Sequence, residues 1–350
     1  MLKNKKIAKS TKIFCTLVII ILFGVCIKGF LGHQHTSENY DVDLVYLWCD
    51  GNDPNFQEQK NYWLIQENKQ PDYQATAAGR FEQVDELKYS LRSVEKYLPW
   101  VRHVYLVTAG QIPTWLNTKN PKLTVVDHTE ILPKENLPVF NSNAIEAGIY
   151  KIPGLSEHFL YANDDTFVNR PLTKDFFFEK GKPIVRMKST KLDPSSLYQA
   201  QILSVIDLSE NAFSSEIPFF SKRDLAPHHN IDAYLKSDYA DCVHHFAKEY
   251  QETLTHRFRK VTSIQRLIVS IWSVMKNHAQ VKVIYISKRK PQGVDSLYMV
   301  NTKKNYAKQL NRLNPALFCI NDSEFSKRKD RMRLKKFLKK RFPKKSKFEW

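Results

Sequence analysis

Glycine and cysteine are both scarce in this 350-residue sequence. Ten glycines and sixteen prolines are too few for a collagen-like or low-complexity chain. The five cysteines are dispersed, with no C-x-x-C pair and no Cys/His spacing of the kind that holds structural zinc. The sequence therefore argues against a disulfide framework and against a zinc-stabilised fold.

Excess charge is almost absent from the middle of the chain. The formal charge is +18, but residues 1–12 hold five lysines and no acid, and residues 327–347 hold thirteen lysines and arginines against Asp330. The two ends carry all but one of the excess charges, so the body between them is nearly neutral. Polyanion binding by the basic ends is open, but the charge indicates nothing about the chemistry of the body.

Long apolar runs are equally scarce, and the one at residues 13–27 is fifteen residues long without a charge. Snorkelling of Lys28 extends it towards the ~20 residues that a bilayer requires. We interpret residues 1–31 as a basic amino terminus and membrane anchor, followed by a linker at 32–40. A cleaved signal peptide is the alternative, although no clear cleavage site follows the run.

The body, residues 41–325, alternates strand-like and helix-like segments. Apolar runs rich in β-branched and aromatic residues predict four strands: Val42–Trp48, Val104–Thr108, Leu123–Val126 and Phe159–Ala162. Helices are predicted at 82–98, which ends before Pro99, and at 142–150. This order predicts an α/β, Rossmann-like fold in which helices flank a parallel-dominated sheet.

Residues 210–280 have a different pattern, with few strand signals and two helical stretches at 231–252 and 262–277. They are predicted to form an α-rich insertion or subdomain. After the body, residues 326–350 form a basic carboxy-terminal tail. Apolar side chains within this tail would suit an anionic cytoplasmic leaflet, and a solvated helix is the alternative. These apolar side chains are Met332, Leu334, Phe337, Leu338 and Phe342.

Carboxylates follow three of the four predicted strands, at the edge where open α/β sheets bind ligands. Asp164 and Asp165 come directly after the fourth strand, and adjacent carboxylates suit Mg²⁺ or Mn²⁺. An acidic turn or helix cap explains the same residues equally well. The segment 50–54, D-G-N-D-P, follows the first strand and is turn chemistry whether or not a ligand binds.

Several cationic and polar residues are weaker candidates. Arg80 precedes a predicted helix, at an end suited to phosphate binding. The pair His228-His229 and the arginine at 259 could form a base and a phosphate clamp, although lone histidines and arginines are more often structural. The pair 321–322, Asn-Asp, is equally weak in isolation.

Taken together, these segments resemble those of the Stealth family of sugar-phosphate transferases in amino-acid sequence and in their order along the chain. Four stretches carry the resemblance: 41–54, 80–171, 226–259, and 318–322 followed by 342–349. The family includes bacterial capsule and exopolysaccharide phosphotransferases and the catalytic part of the animal lysosomal-enzyme N-acetylglucosamine-1-phosphotransferase. Two departures exist: Asn143 stands where many bacterial relatives have histidine, and the third stretch is loose, which leaves His228 and His229 as alternative bases.

The resemblance implies transfer of a hexose or N-acetylhexosamine 1-phosphate from a nucleotide-diphosphate sugar to a sugar hydroxyl of an oligosaccharide or lipid-linked glycan. The product is a phosphodiester of a capsule or exopolysaccharide. A metal-dependent nucleotide-sugar glycosyltransferase is the alternative enzyme, and a membrane-tethered polyanion- or glycan-binding protein is the non-enzymatic alternative. No nucleic acid partner is expected.

The resemblance also implies roles for individual residues. His229 is expected to act as the general base and Arg259 to hold phosphate. Mg²⁺ or Mn²⁺ is expected on three carboxylates: Asp164, Asp165 and Asp322. The nucleotide sugar is expected beside a larger set: Asp50, Gly51, Asp53, Arg80, Asn141 and Ser142.

The resemblance bears on orientation as well. Lysines ahead of the anchor favour an exoplasmic body, as in a single-pass protein of a secretory lumen. The amino-acid sequence and chain length are closer to those of compact bacterial members, whose nucleotide sugars are cytosolic. Three cysteines of the body have no evident partner, which fits a reducing compartment. We therefore expect a membrane-associated protein whose catalytic body faces the cytoplasm.

Overall fold

The computed structural model describes residues 39–67, 73–76, 81–214, 224–284, 294–302, 304–323 and 325–350. The predicted anchor at 1–31, most of the linker and Arg80 lie outside these residues. The described strands are β1 (Val42–Leu47), β2 (Val104–Thr108), β3 (Leu123–Asp127), β4 (His158–Asn163), β5 (Thr166–Val168), β6 (Phe178–Glu179), β7 (Lys182–Ser189), β8 (Leu225–Pro227), β9 (Asp232–Leu235), β10 (Gln280–Ile284), β11 (Ser296–Val300) and β12 (Leu317–Asn321).

Helices lie between five of the eleven pairs of consecutive strands in the described residues. They are α1 (Pro54–Gln66), α2 (Tyr73–Thr76), α3 (Glu86–Tyr97), α4 (His128–Ile131), α5 (Ser142–Glu146), α6 (Leu197–Phe213), α7 (Lys236–His245), α8 (Ala247–Thr255), α9 (Leu267–Met275), α10 (Tyr306–Leu313) and α11 (Arg328–Arg341).

The largest sheet has the strand order β3-β2-β1-β4-β9. Strands β1 to β4 are parallel to one another, and β9 runs antiparallel to β4. The four predicted strands are these four parallel strands, so the Rossmann-like, parallel-dominated fold is confirmed. The chain passes from β1 outwards to β3 and then returns to the other side of β1 as β4, which creates a switch point between β1 and β4.

Both faces of this sheet are buried, which explains the unbroken apolar runs. Successive side chains of a strand point to opposite faces. In β1, Val45 joins one apolar cluster while Leu44 and Tyr46 join another. Helix α3 covers the second cluster with Leu87, Leu91 and Val94, and helices α6 to α9 cover the first.

The α-rich region departs from expectation at its start. Residues 231–235 were predicted as helix, but 232–235 form β9, the edge strand of the main sheet, and helix α7 begins at Lys236. This strand has only four residues and a helix follows it directly. Its alternation of apolar and polar residues is therefore too short to be distinguished from the helical pattern. The helices that follow pack on the first apolar cluster and so share the core of the sheet.

The basic carboxy-terminal segment packs onto the body. Leu334 and Leu338 on α11 are fully buried, and the Phe342 ring lies 6.0 Å from that of Phe167 on β5. Of the apolar side chains predicted to suit a membrane, Met332 is largely exposed, whereas Leu334, Leu338 and Phe342 are buried in the protein. The boundary at 326 therefore marks a change of charge and not a change of packing, and these three buried side chains are not available to lipid.

A bidentate ion pair holds the last residues of the chain against α3. Arg92 donates to both carboxylate oxygens of Glu349, at 2.8 and 2.7 Å, and to the carbonyl of Phe342. The two side chains are only 13% and 5% exposed.

Among the described residues, no helix is both long and apolar enough to span a bilayer.

Replacing Glu349 by glutamine is expected to destabilise the protein by roughly 1–3 kcal/mol, because Arg92 then keeps its charge without a partner in a mostly buried setting. Urea unfolding measures this change. The matched control is Lys335→Gln, which breaks the more exposed pair with Asp85 and is expected to cost under ~1 kcal/mol. Equal losses in the two variants would contradict the fastening role of the Arg92 pair.

Candidate active site

A cleft of about 630 Å³ opens at the carboxyl ends of β1 and β4, on the switch point of the sheet. Such points are where open α/β sheets bind ligands. The cleft wall includes six of the predicted site residues: Ser142, Asp164, Asp165, His229, Arg259 and Asp322. The structure therefore brings residues from three of the four stretches that carry the family resemblance to one place.

Asp164 is a half-buried carboxylate beside a second one. Its Oδ2 accepts a hydrogen bond of 2.8 Å from the Gln83 side chain. Burial raises the pKa of Asp164 to about 7, and the neighbouring charge of Asp165 acts in the same direction. The pair therefore shares less than two full negative charges near neutrality unless a cation joins it.

Asp165 lies between a histidine and a thiol. Its Oδ1 is 3.7 Å from His229 Nε2, and its Oδ2 accepts a hydrogen bond of 3.2 Å from Cys319 Sγ. Burial raises the pKa of Asp165, but the contacts with His229 and Cys319 outweigh burial and hold it below its ordinary value. Asp165 is thus the ionised member of the pair.

The structure distinguishes the two adjacent histidines. The His229 side chain lies on the cleft wall, where the Asn163 Nδ2 amide is 3.3 Å from its Nε2. The Tyr161 hydroxyl, which donates to Glu146 at 2.9 Å, also lies 3.1 Å from Asn163 Oδ1. His228 is buried, and burial lowers its pKa to about 4. Of the two, His229 is the one placed to contact a ligand.

Asp322 reaches the cleft wall but is already neutralised. Its Oδ2 accepts a hydrogen bond of 2.7 Å from Arg331 Nε on α11. Its Oδ1 accepts hydrogen bonds from the Asn301 amide and from the backbone of Ser323. This carboxylate can join a metal only by giving up part of that set, so it is a weaker ligand candidate than Asp165.

The donors around Asp165 fit a divalent cation. Asp165 Oδ1 is buried and has no hydrogen-bond partner among the described residues. Ligand atoms of Asp165, His229 and Cys319 all lie within 4.8 Å of one another. Carboxylate oxygens from Asp164 and Asp165 suit Mg²⁺ or Mn²⁺, whereas a nitrogen and a sulfur favour softer ions. A cation at this position would balance the negative charge of the two carboxylates.

Arg259 and Ser142 meet at the wall of the cleft, where Arg259 Nη2 donates to Ser142 Oγ. Burial lowers the pKa of Arg259, but a guanidinium remains charged at any physiological pH. No carboxylate within salt-bridge distance of Arg259 is found among the described residues. Its charge is therefore available to an anionic ligand.

The predicted nucleotide-binding residues after β1 have structural roles. The Asp53 side chain caps α1 by accepting a hydrogen bond of 2.8 Å from the Phe56 backbone. The Asp50 side chain accepts from Asn52 within the turn. A Cβ at Gly51 would lie 2.3 Å from the Phe81 carbonyl oxygen, so only glycine fits there. Asp50, Gly51 and Asp53 are not among the described residues that line the cleft.

Asn141 also has a structural role. It is fully buried, its side-chain oxygen caps α5, and its Nδ2 donates to the carbonyl of His256. It holds α5 against the loop that carries Arg259, so it positions the site without lining it. Asn143, on the same helix, does line the cleft and donates to the Ser263 carbonyl.

The sequence analysis missed a buried ionic network on the cleft wall. Arg266 lies 3.2 Å from Glu146 and 2.9 Å from Asp232. The Tyr161 hydroxyl donates to Glu146 at 2.9 Å, which joins this network to Asn163 and His229. These residues come from α5, β4, β9 and the start of α9, and only the alternation of β4 could have indicated that Tyr161 faces this side.

Two further titratable residues on the cleft wall were also missed. Burial raises the pKa of Glu86 to about 8, and the charge of Asp164 adds to this rise. Lys188, on β7, extends into the same cleft, and burial lowers its pKa. Glu86 opens helix α3, where acidic residues are common, so its sequence position did not mark it.

Glu86 is expected to make stability fall with rising pH when chelator removes divalent ions. The folded state keeps a proton on Glu86 up to about pH 8 that the unfolded chain releases near its ordinary pKa of 4.5. Between these values one such group lowers the free energy of unfolding by up to about 1.4 kcal/mol per pH unit. Asp164 acts in the same direction up to about pH 7.

Urea unfolding at several pH values measures this slope. Glu86→Gln should flatten it, while the exposed control Glu58→Gln should leave it unchanged. A slope that Glu86→Gln does not alter would show that Glu86 ionises normally in the folded protein.

Three comparisons place the chain among known proteins. A family model, Stealth protein CR2, conserved region 2, matches residues 80–185. Exopolysaccharide phosphotransferase cps2G of Lactiplantibacillus plantarum is 32% identical over 352 residues, which cover 92% of this chain and 99% of the relative. Capsular polysaccharide phosphotransferase cps1A of Actinobacillus pleuropneumoniae is 31% identical over 290 residues, covering 79% of this chain and 78% of the relative.

Capsular polysaccharide phosphotransferase LcbA of Aeromonas hydrophila is 37% identical over 225 residues, covering 63% of this chain and 62% of the relative. Among solved structures, galactosyltransferase LgtC in complex with donor and acceptor sugar analogues matches with a TM-score of 0.40 and 10% identity, over 87% of this chain and 96% of that one. The near full-length match to the Lactiplantibacillus protein confirms the resemblance: the chain belongs to the Stealth family of capsular and exopolysaccharide phosphotransferases.

Proposed function

We propose that the protein transfers a hexose or N-acetylhexosamine 1-phosphate from a nucleotide-diphosphate sugar to a sugar hydroxyl of a growing capsule or exopolysaccharide. The observation that carries the proposal is the meeting of a carboxylate pair, a histidine and an arginine in one cleft of a phosphotransferase-family chain. Phosphoryl transfer needs these parts: charge neutralisation, a proton acceptor and positioning.

In the proposed reaction the acceptor hydroxyl oxygen attacks the phosphorus next to the sugar. The bond from that phosphorus to the bridging oxygen breaks, and a nucleoside monophosphate leaves with the electron pair. His229 takes the hydroxyl proton. The side chains of Asn163 and Asp165 both lie beside Nε2 of this imidazole, at 3.3 and 3.7 Å, and hold the ring at the cleft wall.

Arg259, and Arg80 outside the described residues, are proposed to hold the diphosphate. Mg²⁺ or Mn²⁺ on Asp164 and Asp165 would supply further charge neutralisation on the diphosphate. Asp165 also contacts His229, so the same carboxylate orients the base. Arg266 and its network hold Tyr161 and thereby the orientation of Asn163 beside the base.

The nucleotide by-product tests the proposal against a glycosyltransferase that uses the same donor. Purified protein with a panel of nucleotide sugars and oligosaccharide acceptors should release a nucleoside monophosphate. Release of a nucleoside diphosphate in step with acceptor consumption would show that the bond at sugar carbon 1 breaks and would overturn the proposal.

Asp164→Asn and Asp165→Asn are each expected to lower turnover by roughly 10²-fold or more, because each removes a carboxylate proposed to hold the metal ion that neutralises the diphosphate. Both variants should stay folded by circular dichroism, since the pair lies at a strand end. Asp241→Asn, an exposed carboxylate on α7, is the matched control and should keep full activity. Undiminished activity in excess chelator would contradict the metal assignment.

His229→Ala is expected to lower kcat by about 10²–10⁴-fold, as typical for a lost general base, with little change in donor binding. The comparison variant is His228→Ala, whose side chain lies beneath the wall. Steady-state kinetics of the folded variants separate kcat from KM. A large kcat loss in His228→Ala and not in His229→Ala would show that His228 is the base and would contradict the assignment to His229.

We also propose that residues 13–27 attach the protein to a membrane with its catalytic body facing the cytoplasm, where nucleotide sugars are made in bacteria. The uncharged apolar run and the body cysteines support this orientation. Protease added to intact spheroplasts should leave the body uncut, whereas lysed spheroplasts should show cleavage. Digestion of the body in intact spheroplasts would restore the orientation that the amino-terminal lysines favour.

A further inference from the structure

We propose that a second cleft, far from the catalytic residues, binds a polyanionic glycan whose sugars are linked by phosphodiesters. This cleft has a volume of about 560 Å³. Its walls come from the last turn of α3, the residues just before β2 and β3, and the carboxy-terminal segment 342–348. It therefore lies at the amino ends of the parallel strands, whereas the catalytic cleft lies at their carboxyl ends.

The charge on this cleft is strongly positive. Its cationic wall residues include five lysines: Lys96, Lys122, Lys344, Lys345 and Lys347. All five are exposed, and none forms an ion pair in the described part of the chain. The wall carries one carboxylate, Glu95, which accepts a hydrogen bond of 3.0 Å from the Lys347 backbone. A chain with regularly spaced negative charges complements this arrangement, and a neutral glycan does not.

The arginines of the cleft belong to the fold. Arg92 is paired with Glu349, and Arg102 is paired with Asp43. They shape the wall, while the lysines carry the charge that remains for a ligand. The lysines come from three separate elements, so the concentration of charge exists only once the carboxy-terminal segment packs beside α3.

The floor of the cleft is apolar. Leu98, Val101, Phe342 and Phe348 line it and are buried. An apolar floor between cationic rims suits a ligand that alternates sugar rings with phosphates, because the rings can pack on the floor while the phosphates meet the lysines. A recessed cleft admits a single chain better than the flat surface of a bilayer, which would contact only the rim.

The identity of the ligand rests on the proposed function, since that reaction adds one phosphodiester per transfer. The strand β2 has five residues, so the two clefts are separated by roughly 17 Å along the sheet at ~3.3 Å per residue. This line runs through the buried core, so a glycan that reaches both clefts passes over the surface and is longer than this distance. The second cleft would therefore hold the growing chain while its end occupies the catalytic cleft.

Binding of poly(glycerol phosphate), a phosphodiester polymer, to the full-length protein tests this inference directly. The variant replaces Lys344, Lys345 and Lys347 by glutamine, and the matched control replaces the exposed Lys151, Lys248 and Lys308 by glutamine. Both lose the same net charge. We expect the cleft variant to bind the polymer about tenfold more weakly than wild type and the control to bind as wild type does. Wild-type binding should also weaken with added salt.

Neutral dextran and vesicles containing phosphatidylglycerol are the comparison ligands. Binding of the charged polymer but not of dextran, with the loss confined to the cleft variant, supports the inference. Equal losses in both triple variants would show non-specific attraction and overturn it. A cleft variant that loses vesicle binding but keeps polymer binding would assign the surface to lipid and also overturn it.

Activity with a short, uncharged acceptor separates this inference from the proposed function. The cleft variant should transfer to the short acceptor as fast as wild type, because the lysines lie away from the catalytic cleft. Normal transfer without polymer binding by wild type would refute the second cleft alone. Polymer binding by a protein that releases no nucleoside monophosphate would refute the proposed reaction and leave the cleft as an anion-binding site.

Discussion

The site depends on keeping two adjacent, half-buried carboxylates side by side at the end of one strand. Asp164 and Asp165 follow β4, the strand next to β1 at the switch point of the sheet. Two like charges in such a place repel one another, and burial adds to the cost. The structure answers this by splitting the pair: the pKa of Asp164 rises to about 7, while contacts with His229 and Cys319 keep that of Asp165 low.

Much of the surrounding structure serves that pair. Strand β12 places Cys319 beside Asp165, and the turn at 81–83 places Gln83 beside Asp164. The cleft is closed on one side by Asp322, which Arg331 of α11 holds in place. The basic carboxy-terminal segment is therefore part of the architecture of the site. Its Arg331 binds Asp322, its Glu349 pairs with Arg92 of α3, and its apolar face packs on β5 and β12.

The sequence predicted the parallel strands and the cleft better than it predicted individual contacts. Strands buried on both faces have a local signature, and a carboxylate pair after such a strand points to the ligand edge of the sheet. Asp50, Asp53 and Asn141 look the same in sequence whether they bind a ligand, close a turn or cap a helix, and the structure shows turns and caps. The ion pairs of Arg266 join it to Glu146 and Asp232, which lie far from it in the chain, so no local pattern could reveal them.

The central claim is that the sugar phosphate moves as a unit. Phosphorus-31 NMR and mass spectrometry of the glycan made from a nucleotide-diphosphate sugar test it most directly. The account predicts a phosphodiester signal, coupled to the anomeric proton of the transferred sugar, and a mass increase equal to the sugar plus one phosphate. A product heavier by the sugar alone, without phosphorus, would contradict it.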